Sequence, residues 1–164
     1  FYSLNDIKFR IARNILLKKE KYEKIMLQMM KKKRFIPEKH YANLFFNTED
    51  LEKLNSLGHV IGLHSHEHHT LIEKLSYSDQ KNEYMKCKAI ISKILGKSQI
   101  DIKTMSHPCG SYNEETLKIL KDLGINLGFK HIMQIEQNKG MKKINNSDLE
   151  IARINHSLVM KMMN

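Results

Sequence analysis

Four short apolar runs, each closing into a loop and then a helical stretch, limit what this chain can fold into. They are 59–63 after Gly58, 100–105 before the loop Ser106 to Tyr112, 125–129 after Gly124, and 149–154 before a terminal stretch 157–163. Helical segments fill the gaps. Thr48 reads as an N-cap ahead of Glu49, Asp50 and the Leu51/Leu54/Leu57 face, with Gly58 as the stop. Ser76 or Ser78 caps a helix running to Leu95 and ended by Gly96, and Asn113 caps Glu114 to Leu120, with acids in its first turn. Nothing between the runs signals a hairpin, so the repeat predicts an α/β fold with a parallel sheet or barrel. Such folds carry their chemistry on loops at the carboxyl ends of strands, which puts loops 64–70 and 106–112 and the segment after 153 on one face.

Upstream, Ile7, Ile11, Ile15, Leu16, Tyr22, Ile25, Met26, Met29 and Met30 recur at helical spacing over 6–33. A break into two helices near Lys18-Lys19-Glu20 is an open alternative, and Pro37 ends the region. The methionine stripe reads as core packing. At 164 residues, with 41% hydrophobic residues and only 7 Gly and 2 Pro, the chain has a globular composition and a single domain's length. No apolar run approaches the roughly 18 residues of a membrane span. The first residues, Phe1 to Asp6, lack the layout of a secretory signal, and no initiator Met is present, so a fragment is expected. The net charge of +10 raises an anionic partner or nucleic acid. The lysines run the whole length without interleaved aromatics, so a solvated surface is the better reading and no nucleic acid is expected. Cys87 and Cys109 form no CxxC pair, which predicts reduced thiols and a cytoplasmic setting.

The first loop is His64-Ser65-His66-Glu67-His68-His69, four of the nine histidines in six residues. Imidazoles at i and i+4 in an irregular loop can turn toward one divalent ion. His64 and His68 are the candidate ligands. Ser65 and Glu67 are candidates for orienting their rings, and His66 and His69 are assigned to supporting or surface positions. Two histidines are one ligand short of a catalytic zinc site, and no third stands out at a strand end.

The run from Gly58 to His68 resembles the second motif of the polysaccharide deacetylases, the NodB-homology fold and fourth carbohydrate esterase family, written E-I-G-x-H-[ST]-x-x-H. Its two metal-binding histidines fall on His64 and His68, and Ser65 falls on its Ser/Thr position. Ser106-His107-Pro108-Cys109-Gly110-Ser111-Tyr112-Asn113 resembles the third motif, [RA]-x-P-[YF]-G-x-x-[ND], a wall of the groove. The resemblance makes Pro108, Gly110 and Tyr112 substrate-binding and gives the Cys109 backbone N–H to the oxyanion. Cys109 as a nucleophile is the rival reading. The family's Arg position is Ser106. A third match, Leu149 to His156, resembles the strand leading to the last motif and makes His156 the candidate general acid ahead of His107 and His131.

The resemblance covers about residues 44–156 and implies a distorted parallel β/α barrel over 44–164, with 1–43 as a helical insertion or lead-in. The family's first motif, T-F-D-D-G, which supplies the base and a ligand aspartate, has no counterpart. The chain is therefore either an N-terminally incomplete piece or a degenerate relative. The implied function is metal-dependent removal of an acetyl group, N-acetyl in the first instance, from an acetylated glycan or polysaccharide, with zinc (Zn2+) as cofactor. A non-catalytic relative that binds metal or glycan, and a basic nucleic-acid-binding module, are the rivals.

Overall fold

The computed structural model describes residues 3–131, 147–153 and 156–163, with backbone alone at 42–43 and 156–158. The chain divides into two compact units, Phe1–Asn47 and Thr48–Asn164.

The first unit is helical. Helix α1, Leu4–Ile11, starts at a reciprocal cap: the Ser3 hydroxyl accepts the Asp6 N–H and the Asp6 carboxylate accepts the Ser3 N–H. A π-helical turn, Ala12–Leu16, follows, and the chain then extends at Leu17 and Lys18 before α2, Lys19–Lys32. The two-helix alternative is therefore the one that forms. A short helix α3, Tyr41–Leu44, lies beyond the turn Pro37–Lys39. The expected core role of the methionine stripe is not met. Helices α1 and α2 bury no residue, Met29 is 53% exposed, and Ile25, Met26 and Met30 are half-buried. The stripe has helical period, but among the described residues of this unit none belongs to a buried core that could receive it.

The second unit carries the β/α repeat. Helix α4, Thr48–Ser56, includes Thr48 in its first turn, one position earlier than the cap reading, and Gly58 takes the left-handed conformation past its end (φ 89°). Helix α5, Tyr77–Leu95, is capped by the Ser76 hydroxyl on the Asp79 N–H and ended by Gly96 in αL, both as expected. Strand β1, Thr104–Ser106, leads through the groove loop to α6, Glu114–Asp122, whose N-cap is Asn113. Strand β2, Leu127–Phe129, pairs with β1 in parallel, Met105 opposite Gly128, and helix α7, His156–Met163, is the last element.

Single parallel bridges extend this pair on either side, Leu63 to Met105 and Phe129 to Ile151. The four apolar runs therefore lie side by side, parallel and in sequence order. Their extents differ from expectation. The first and fourth runs contribute one bridging residue each, and the second opens with a 3₁₀ turn, Gln99–Asp101, before β1 begins. In the first run Val60 is 77% exposed, and the bridge to β1 is made at Leu63.

The core of this unit packs Leu63, Met105, Ile125 and Leu149 from the four runs against Ile72, Tyr84, Ile91, Ile119 and Leu120. Lys88 of α5, buried, donates its ammonium to the Leu123 carbonyl where α6 ends, a cation at the negative pole of a helix. The carboxyl ends at Leu63 and Ser106 open directly into loops 64–70 and 106–112, two of those expected to carry chemistry.

Candidate metal centre

His64 and His68 come together. Their ring centroids are 4.9 Å apart at an interplanar angle of 58°. His64 Nδ1 lies 2.8 Å from the Ser106 carbonyl oxygen and 2.9 Å from its hydroxyl. A carbonyl has no proton to give, so Nδ1–H is the donor and the lone pair sits on Nε2. A histidine that donates one ring N–H to a carbonyl and keeps a lone pair on the other nitrogen has the hydrogen bonding of a metal ligand. Burial holds the His64 pKa below the ordinary imidazole value against the opposing pull of the Ser106 bond, and the neighbouring His68 and Arg153 also lower it. The ring is thus kept neutral, the form that binds metal.

The ring is therefore oriented by a strand residue, Ser106, rather than by Ser65 or Glu67 of its own loop. Ser65 is buried and its hydroxyl accepts the His68 backbone N–H at 3.1 Å. The Glu67 carboxylate lies 3.8 Å from the exposed His66 ring. Both Ser65 (φ 60°) and His68 (φ 52°) hold the left-handed conformation, which costs an L residue about 1 kcal/mol or more each and persists only under outside restraint.

That restraint includes Glu83, a residue the sequence reading passed over. Its buried carboxylate, on α5, accepts the backbone N–H of His66 at 3.1 Å and of Glu67 at 2.7 Å on one oxygen; the other lies 3.7 Å from His69 Nε2. The signal was present: Gln80, Glu83, Tyr84, Lys88 and Ile91 form a buried stripe at helical spacing. Three of the five are polar, so a search for apolar periodicity does not find it.

The groove loop lies beside the pair, since Ser106 belongs to both. Pro108–Gly110 form a tight turn in which Cys109 is exposed with φ 53°. The following N–H groups are used within the turn, Gly110 to the His107 carbonyl and Ser111 to the Pro108 carbonyl. The Cys109 N–H has no such acceptor among the described residues. Gly110 (φ 72°) passes so close to His131 that a Cβ would lie 2.8 Å from the His131 Cβ. Two contacts tie the loop's far side to the turn Ile72–Lys74 that follows the histidine loop: Ser111 Oγ accepts the Glu73 N–H, and Asn113 Nδ2 donates to the Glu73 carbonyl.

Behind the groove sits a buried polar group that motif spacing does not announce. His107, 1% exposed, donates Nε2–H to the Leu149 carbonyl at 2.8 Å and stacks on Tyr112 at 4.2 Å. The Tyr112 hydroxyl donates to Glu150 Oε1 at 2.9 Å, and Lys130 Nζ stands 4.0 Å from the same oxygen. Tyr112, expected to bind substrate, thus has its hydroxyl committed to the protein. Burial and the Glu150 bond hold its pKa well above the usual phenol range.

His156 opens α7, and its side chain lies outside the described residues. Residues 134–146 of the expected polar loop also lie outside them. Among the described residues no group of three His, Cys, Asp or Glu side chains is placed to hold a metal. The donor set is a pair, and it fits a borderline-soft divalent ion by ligand type and by the lone pair that the Ser106 bond leaves on His64 Nε2.

No curated protein matches the chain. Among solved structures it is similar to the Streptococcus pyogenes deacetylase PplD in complex with acetate, at 21% identity and a TM-score of 0.57, over 73% of this chain and 51% of that one. It is also similar to the BpsB deacetylase domain from Bordetella bronchiseptica, at 14% identity and a TM-score of 0.54, over 68% of this chain and 49% of that one. At such identities these likenesses show the fold, and the chain spans about half the length of these relatives. The family model for polysaccharide deacetylase matches residues 16–128, well over half of the sequence. With the paired histidines on one strand end and the Pro108 turn beside them, this places the chain in the polysaccharide deacetylase family.

Proposed function

We propose that this chain is the larger part of a metal-dependent deacetylase domain, a distorted parallel β/α barrel that hydrolyses an N-acetyl group on a polysaccharide or glycan precursor. The observation that carries the reading is the His64–His68 pair, with His64 Nδ1–H committed to Ser106 and its Nε2 lone pair left for a metal.

His64 and His68 would hold the ion, and zinc is the expected one. When bound there, zinc supplies Lewis acidity to the acetyl carbonyl and lowers the pKa of a bound water. Ser106 keeps His64 in the ligating tautomer. The Cys109 N–H, on a rigid turn, donates to the oxyanion as the carbonyl carbon becomes tetrahedral. His156 gives a proton to the leaving amine nitrogen. The attacking oxygen would be water's and its proton would pass to a carboxylate base, the role of the first-motif aspartate that has no counterpart in this sequence, so the Cys109 thiol has no part in this route.

The test is zinc content alongside acetate release from an acetylated chito-oligosaccharide, on the full-length protein. One equivalent of zinc and released acetate are expected, with His64→Ala and His68→Ala each abolishing both. Stoichiometric zinc in both variants would sink the metal pair. One equivalent of zinc without acetate release would assign the chain to the non-catalytic alternative.

A further inference from the structure

The loop between the two candidate ligands has three consecutive backbone N–H groups, at His66, Glu67 and His68, and each ends on a side-chain oxygen. Successive N–H groups around a left-handed residue form a concave, positively polarised nest that collects an anion. Here the anion is internal. One oxygen of the Glu83 carboxylate takes the His66 and Glu67 N–H groups, and Ser65 Oγ takes that of His68.

Glu83 also has a fixed place from which to act. It is 7% exposed on α5, and its neighbour Tyr84 is fully buried in the core. The helix therefore grips the loop in its middle, directly after the strained Ser65. The second strained residue, His68, follows directly after the N–H groups that Glu83 holds. A loop with two left-handed non-glycine residues and no such anchor relaxes to ordinary backbone conformations, and the two rings separate.

We infer that Glu83 is a positioning residue, an internal carboxylate that closes the His66–Glu67 nest and thereby holds His64 and His68 at metal-binding separation. The inference rests on the metal-pair reading above, and its test separates the two.

Two replacements divide the roles of Glu83. Glu83→Gln keeps an amide oxygen able to accept both N–H groups, and Glu83→Met keeps the volume and removes the acceptor. Glu83→Asp, which retracts the carboxylate by one methylene, serves if Glu83→Met does not fold. The first readout is hydrogen exchange at the His66 and Glu67 amides in zinc-free protein. The second is zinc affinity by competition with a chromophoric chelator.

Glu83→Met is expected to speed exchange at those two amides selectively and to weaken zinc binding by about 10- to 100-fold, the usual effect of losing a residue that orients metal ligands. Glu83→Gln is expected to retain protection and to bind zinc within about threefold of the parent. Parent-like zinc affinity in Glu83→Met, with His64→Ala still abolishing binding, overturns the role of Glu83 and leaves the metal pair standing. Parent protein that takes up no zinc overturns both. Equal loss in the Gln and Met variants overturns the nest argument, because it makes the charge rather than the acceptor geometry decisive.

Discussion

At the scale of single residues, the groove depends on groups that must stay neutral. His107 is the clearest. Its Nε2–H is bonded to the Leu149 carbonyl, and its Nδ1 is buried with no hydrogen-bond partner among the described residues. Burial is the main reason its pKa lies below the ordinary imidazole value; the Leu149 bond and the Glu150 charge oppose the shift without reversing it. Protonation would add a second buried N–H donor with nothing to receive it. With the folded pKa below the unfolded one, the unfolded chain binds more protons between the two. The stability involved is complete above about pH 6.5, the unfolded value, and is lost as pH falls through the folded pKa. Urea unfolding at pH 7.5 and 5.0 should therefore show a decline that is shallower in His107→Gln. An identical decline in the variant would refute the assignment. His64 adds a similar dependence, since burial lowers its pKa too.

At the scale of elements, close backbone approach rather than long ladders sets the parallel arrangement. Each end of the four-run array brings one run against its neighbour at a glycine. A Cβ on Gly62 would lie 2.6 Å from Thr104 Oγ1 and 2.9 Å from the Thr104 carbonyl oxygen, and a Cβ on Gly128 would lie 2.6 Å from the Leu149 carbonyl oxygen. Backbone cannot swing aside as a side chain can. Gly128→Ala is thus expected to push β2 away from 149–151, loosening the Lys130 N–H bond to the Ile151 carbonyl and the His107 contact with Leu149. The cost should be about 1–3 kcal/mol, the range for overpacking a tight site. Denaturant unfolding checks it, and a loss under about 0.5 kcal/mol, typical of a surface change, would contradict the argument. Helix α5 shows the complementary point. Its length and caps were legible from Ser76, the helical spacing and Gly96, but the function of its buried stripe was not, because a carboxylate at a core position is read as surface until its partners are known.

At the scale of the whole molecule, the two units differ in how much they bury. The second unit supplies the buried core residues, and the helices α1 and α2 of the first have none. Local stability follows buried contacts, so native-state hydrogen exchange should find the slowest amides around Met105, Ile119 and Leu120, with those of α2 exchanging far earlier. Protection in α2 equal to that at Met105 would show that its apolar face is covered in solution. The parallel order of the four runs and the opening of their carboxyl ends into the histidine and groove loops were both legible from the β-loop-α alternation.

The sequence by itself determined the local and periodic features: the caps at Ser76 and Asn113, the stops at Gly58 and Gly96, the parallel topology, and the pairing of His64 with His68. These depend on residues within a turn or two of each other, or on a period that either fold class must display. Only the tertiary structure decided that Ser106 orients His64, that Glu83 closes the loop between the ligands, and that Tyr112 and His107 lock against Glu150 and Leu149. Those contacts join residues 16 to 42 positions apart. The physical reason is that burial gives a polar side chain its partner and its worth, and burial belongs to the packed molecule rather than to any segment of its sequence.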